Sequence, residues 1–214
     1  MNIESEDVVS VRTFLVYGGY VSVIVTCIFS CLLVTMSPGP EENGYMRYIS
    51  EGMEEHCGWS VLVLGTCALF TLMCQVVASL HMNKRWIVIF VFMSGLGWNT
   101  VLAVRDTGWS IHYVGLSMAL LGNLTFHWYS SRDEYYGGFQ YMVVNIVAIV
   151  ISLLFICLAA ASSFNSSIYE LRAASVSVEF ILVFAICIEN LHIIHGLDQY
   201  DSIHLIFHSR KNVL

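Results

Sequence analysis

Apolar residues in this chain come in long unbroken runs separated by short polar segments. The run from Trp59 to His81 holds no charged residue and stops at Asn83-Lys84-Arg85, and a second uncharged run follows at once, from Trp86 to Arg105. An uncharged stretch of about 20 residues, wound as a helix, crosses the hydrocarbon core of a bilayer. On the same basis the pattern predicts six spans, at about residues 14–35, 59–81, 86–104, 111–128, 140–161 and 175–194. Backbone amides and carbonyls find no water in lipid, so each span must be helical. The expected fold is therefore all-α: a polytopic membrane helical bundle with six transmembrane helices, one domain over residues 1–214 with short cytosolic tails. The fourth span, Ile111 to Trp128, is short and carries His112, Asn123 and His127; without it the termini would lie on opposite sides of the membrane.

Orientation follows from the basic residues in the connections. With both termini cytosolic, Arg12, Lys84, Arg85, Arg132, Arg210 and Lys211 lie inside, six of the nine Lys and Arg, against Arg47, Arg105 and Arg172 outside. The segment Asn165-Ser166-Ser167 is a glycosylation sequon, and this topology places it outside, so the chain is expected to be a glycoprotein at Asn165. The acidic stretch before the first run lacks the basic segment of a removable leader, so that run is expected to stay as an anchor. The largest extramembrane segment, Met36 to Gly58, reads as an outer loop.

Composition agrees with a chain solvated by lipid: 57% hydrophobic, 12% charged, mean hydropathy +0.71. Soluble domains carry about twice that share of charge. A net charge of -7 without a basic stripe gives no footprint for nucleic acid. Six of the seven Cys sit in apolar runs, where they pack as small apolar residues, and no CxxC pair exists. Small residues inside the spans, among them Gly95, Gly97, Gly115 and Gly122, suit close approach of helices in lipid.

Charged side chains in a span call for a reason. The sixth span holds Glu179 and Glu189. Glu189-Asn190-Leu191-His192 has the Glu-x-x-His spacing of carboxylate metal sites, with His195 three residues on. Only one copy is present, and it is read as an interfacial polar cluster at the cytosolic end rather than a metal site. A haem between spans would need facing His pairs, for which only His127 and His192 are placed; a haem-binding membrane reductase is the remote alternative. No G-x-S-x-G elbow or phosphate-cradling loop occurs. No catalytic, cofactor-binding or metal residues are expected.

The loop sequence Tyr45-Met46-Arg47-Tyr48-Ile49-Ser50-Glu51-Gly52, followed by Glu54-Glu55-His56-Cys57-Gly58-Trp59, resembles the DRAM family of damage-regulated autophagy modulators, with its fasting-inducible and FRAG-type relatives. The likeness continues at the third connection, Arg105 to Gly115, with His112 opening the fourth span, and at Ala173 to Phe180, which carries Glu179. Two departures are Arg47 where the family has Pro and the adjacency of Glu51 and Gly52. The recurrent positions are Tyr48, Ile49, Ser50, Glu51, Gly52, His112, Gly115 and Glu179. The resemblance implies six spans, cytosolic termini and a non-enzymatic regulator of autophagy or lysosomes in the endomembrane system. Such a regulator would act through membrane lipids or an unidentified membrane or cytosolic protein partner. It leaves open a GPI-anchor remodelling factor of the ER or Golgi, or a plasma-membrane adaptor of phosphoinositide kinase. Glu179 is expected to meet His112 across the sixth and fourth spans. In the tail, Tyr200-Asp201-Ser202-Ile203 matches a tyrosine-based sorting signal, read through Tyr200 and Ile203, or else starts an amphipathic segment lying on the membrane.

Overall fold

The computed structural model describes residues 5–36, 48–82, 85–103, 109–134, 136–164 and 168–199. Their regular structure is all helical. In chain order the elements are α1 (Ser5–Met36), α2 (Ile49–Glu55), α3 (Cys57–His81), a 3₁₀ turn (Arg85–Ile87), α4 (Val88–Ala103), α5 (Trp109–Ser130), α6 (Phe139–Phe164) and α7 (Tyr169–Gln199). The six predicted runs fall on α1, α3, α4, α5, α6 and α7. Four helices are long and apolar enough to cross a membrane: α1 over Thr13–Thr35, α3, α6 and α7. The apolar helix α4 is shorter. With 22 residues α5 has the length, but it carries His112, Asn123 and His127.

The outward faces show what surrounds the bundle. Ile89, Phe92 and Leu96 on α4 are each more than 60% exposed, and Leu153 on α6 and Leu62 on α3 are 60% exposed. Contiguous apolar surface of this kind is costly in water and ordinary in lipid. The chain is an integral membrane protein.

The long helices close a ring. Each packs on the next in the order α1, α3, α4, α5, α6, α7, and α7 returns to α1, with α3 also touching α7 across the middle. Short connections force neighbours to run antiparallel. Between α4 and α5 the backbones nearly touch. A methyl group added at Gly97 would sit 2.2 Å from the Ala119 nitrogen, and one at Gly122 2.5 Å from the Ser94 nitrogen. With lipid on both sides there is no hydrophobic drive between helices, so such close backbone contact is what holds the pair.

One expectation needs correction. The Met36–Gly58 segment was read as loop, yet it contains α2, whose Ile49 is 1% exposed and packs with Leu33 of α1 and Leu64 of α3. A seven-residue helix is too short to hold its own shape. Its contacts with α1, α3, α4 and α7 supply what propensity does not.

Candidate functional site

Three features lie along the bundle axis: a docked helix at one end, a cavity beneath it, and a buried polar network at the far end of that cavity.

The docked helix is α2. Its start is held by two carboxylates. Glu51 accepts from the Tyr48 backbone N–H at 3.0 Å, closing the first turn on itself. Glu179 of α7 reaches across 130 residues of sequence to accept from the Ile49 N–H at 2.7 Å, with the Ser50 amide on the same carboxylate. Both satisfy amides that a helix start leaves without intrahelical partners. Arg172, about two turns ahead of Glu179 on α7, grips Glu51 with Nη2 at 2.5 and 2.8 Å from the two carboxylate oxygens. Its guanidinium lies 5.1 Å from the centre of the Tyr48 ring. Gly52 lets α2 lie directly on α1, since a methyl there would stand 2.8 Å from the Leu33 carbonyl oxygen.

Tyr48, Ile49, Ser50, Glu51, Gly52 and Glu179 are thus brought together. His112 and Gly115 are placed elsewhere. The His112 ring stands edge-on to Tyr113, 6.2 Å between centres, and Gly115 packs on Thr100 and Gly97 of α4. The partner that Glu179 takes is the start of α2, where His112 was expected. Asn165, Tyr200 and Ile203 lie outside the described residues. Arg172 entered the sequence reading only as a charge; its distance of 121 residues from Glu51 hid the pair.

Beneath α2 is a cavity of about 110 Å³. Met53 of α2, Leu64 of α3 and Leu102 of α4 border it at one end; Gln75 of α3, Asn123 of α5 and Asn190 of α7 border it at the other.

Those amides belong to the polar network. Glu189 accepts from Asn145 Nδ2 at 2.7 Å and from Asn123 Nδ2 at 3.3 Å. Gln75 Nε2 donates to Asn123 Oδ1 at 3.2 Å and to Asn190 Oδ1 at 2.8 Å. Four helices of the ring are tied by these bonds. Glu189, expected in an interfacial polar cluster at the cytosolic end, has no exposed surface within the bundle. The physical reason is that α7 continues to Gln199, so Glu189 sits about 15 Å inside the helix end. A buried polar group must be hydrogen-bonded, and the Asn and Gln side chains here serve that need. They were visible in the sequence as polar residues interrupting apolar runs.

Below the network, His127 Nδ1 is hydrogen-bonded to the Tyr141 hydroxyl, and the His192 ring stacks on Tyr141 at 4.9 Å and 9°. His192 Nδ1 donates to the Ile188 carbonyl at 2.9 Å. One tyrosine therefore occupies the space against both imidazoles, and the pair does not fit a haem held between them. Among the described residues no group of three or more His, Cys, Asp or Glu could hold a metal ion. The described cysteines are free thiols. No family model, curated protein or solved structure matches the chain.

Proposed function

We propose that the protein is a six-span membrane regulator of the DRAM type, with both termini cytosolic, that acts without catalysis through lipid or protein contact in lysosomal or related endomembranes. The observation that carries the reading is the convergence of Tyr48–Gly52 with Glu179 at α2. Six of the eight positions that bear the resemblance, Tyr48 to Gly52 and Glu179, meet in space although 130 positions separate Ile49 from Glu179. Their chemistry also favours a structural role over catalysis. Glu51 is engaged by Arg172 and the Tyr48 amide, and Glu179 by the amides of α2. Glu189 is engaged by two asparagines. Each acid therefore spends its lone pairs on holding helices together.

The cavity under α2 favours a second reading, in which the protein handles membrane lipid, as a GPI-anchor remodelling factor would. One experiment separates these. A tagged copy is located in cells, and autophagic flux and surface GPI-anchored proteins are measured after its loss. Lysosomal residence with reduced flux is the expected result. An ER or Golgi pattern with altered GPI-anchored proteins would replace it with the remodelling reading. Plasma-membrane residence with normal flux would point to the kinase adaptor.

A further inference from the structure

Between α1 and α3 a groove opens on the lipid side of the bundle. Its volume is about 600 Å³, within the ~300–1,000 Å³ of sites that take small ligands. Buried Ser22 of α1 and Cys67 of α3 lie at its floor. Tyr17 and Val21 of α1 and Leu62 of α3 stand beside it, each more than half exposed. Near the start of α1 the groove is bordered by Phe14 and Phe70, whose rings lie 5.4 Å apart. Gly18 lets the Phe70 ring rest directly on α1, since a methyl there would stand 2.6 Å from it.

Length and polarity narrow the occupant. The groove follows α1 from Thr13, where the membrane-crossing stretch starts, to Val25, about 18 Å along the helix. Half of a ~30 Å hydrocarbon core is ~15 Å, so the groove covers one leaflet. The hydroxyls of Thr13 and Tyr17 belong to its boundary end. Deeper in, Ser22 and Thr66 donate their protons to their own helices, to Gly18 O at 2.7 Å and Leu62 O at 2.6 Å. The walls are also stiff: Val21, Val25 and Val63 are branched at Cβ, and Phe14, Tyr17 and Phe70 are rings. A stiff groove suits a stiff ligand, because neither loses conformational freedom when they meet, whereas an acyl chain must be ordered to lie there. One hydroxyl at the boundary, a rigid body and the length of one leaflet describe a sterol. Arg12, Tyr17 and Val21 also follow the basic, aromatic, branched spacing suggested for sterol contact, a weak pattern alone, and here Tyr17 and Val21 both line the groove.

We propose that the groove between α1 and α3 binds a sterol, with its hydroxyl at Thr13 and Tyr17 and its rings over Gly18 and Val21. The proposal deepens the lipid contact in the reading above. Its test uses purified protein and depends on neither compartment nor autophagic flux, so either can fail alone.

The full-length protein is placed in phosphatidylcholine nanodiscs with a photoactivatable cholesterol, or with a photoactivatable phosphatidylcholine, and labelled peptides are mapped. The sterol probe is expected to label Thr13 to Val25 and Leu62 to Phe70, and excess cholesterol should displace it. The 3α-hydroxyl epimer has the same bulk with its hydroxyl turned away. It should compete at least about threefold less well, as loss of one neutral hydrogen bond implies. The phospholipid probe should label the whole lipid-facing belt, including Phe92 and Leu96 of α4. Val21→Trp fills the groove from an exposed position and should remove displaceable labelling; Ile24→Trp, equally exposed but not lining the groove, should leave it unchanged. Sterol label spread over the belt like that of the phospholipid would overturn the proposal. So would equal competition by the epimer, or displacement by excess phosphatidylcholine, the result if an acyl chain fills the groove. If Val21→Trp fails to fold, the competition on the native chain still decides.

Discussion

Glu189 receives amide protons from Asn145 and Asn123, and the two asparagines differ in their freedom to turn over. Asn123 is pinned by Gln75 on its other side, whereas Asn145 Oδ1 has no partner. Glu189→Gln should therefore be tolerated, because Asn145 can flip and offer its oxygen to the new amide. Glu189→Leu leaves both Asn donors without an acceptor and should cost about 2 kcal/mol, judged from about 0.6 to 1.7 for each interhelical bond in membrane proteins. The check is thermal stability by fluorescence-detected size exclusion; equal losses for Gln and Leu would refute the flip. A second residue contrast concerns glycine. Gly52→Ala places its methyl 2.8 Å from the Leu33 carbonyl oxygen and should destabilise by about 1–3 kcal/mol. Gly65→Ala meets nothing within 4 Å and, in a helix interior, should stabilise by about 0.5–1 kcal/mol. At this scale the sequence was readable for which residues are polar inside spans and unreadable for their depth. Periodicity says which face a residue is on. It does not say that α7 runs on past the predicted end and carries Glu189 with it into the core.

Helices α1, α3, α6 and α7 were legible because a membrane span is specified by composition alone, and neither partner nor register has to be known. Helix α2 was not legible, for the opposite reason. Ile49–Glu55 is polar, short and without a period, and it is helical because α7 reaches it. The two attachments to α7 differ in worth. The Arg172–Glu51 pair is more than a quarter exposed on both sides, and partly solvated ion pairs contribute at most about 1 kcal/mol. The Glu179 bond serves a helix-start amide on a residue that is 1% exposed, where an unmet donor costs about 1–3 kcal/mol. Glu179→Ala should thus undock α2 more than Arg172→Ala does. Hydrogen exchange of a peptide covering Ile49 to Glu55 measures this, with an expected acceleration of about tenfold or more for Glu179→Ala and under about fivefold for Arg172→Ala. The reverse order would mean that the ion pair, and not the carboxylate at the helix start, holds α2 down.

Closure of the ring by α7 on α1 ties the two ends of the chain to one another, so the whole molecule stands or falls with the orientation of its first and last helices. Packing alone does not choose which side faces the cytosol, since the ring is as well packed either way up. That choice is made by charge during insertion. Of the nine basic residues, Lys84 and Arg85 are the two that stand adjacent in the short connection between α3 and α4. On the proposed topology with both termini cytosolic, replacing both by Gln reduces the inside set from six to four against three outside. The expected outcome is a mixture of orientations, where the native chain gives one. The sequon at Asn165 reports it: the native chain should shift in mobility when its glycan is removed, and the variant should show two populations, one of them without glycan. Cysteine labelling of the tails from outside intact cells gives an independent reading, absent for the native chain and partial for the variant. Full retention of the glycan in the variant would show that the remaining charges or the insertion of α1 already decide the topology.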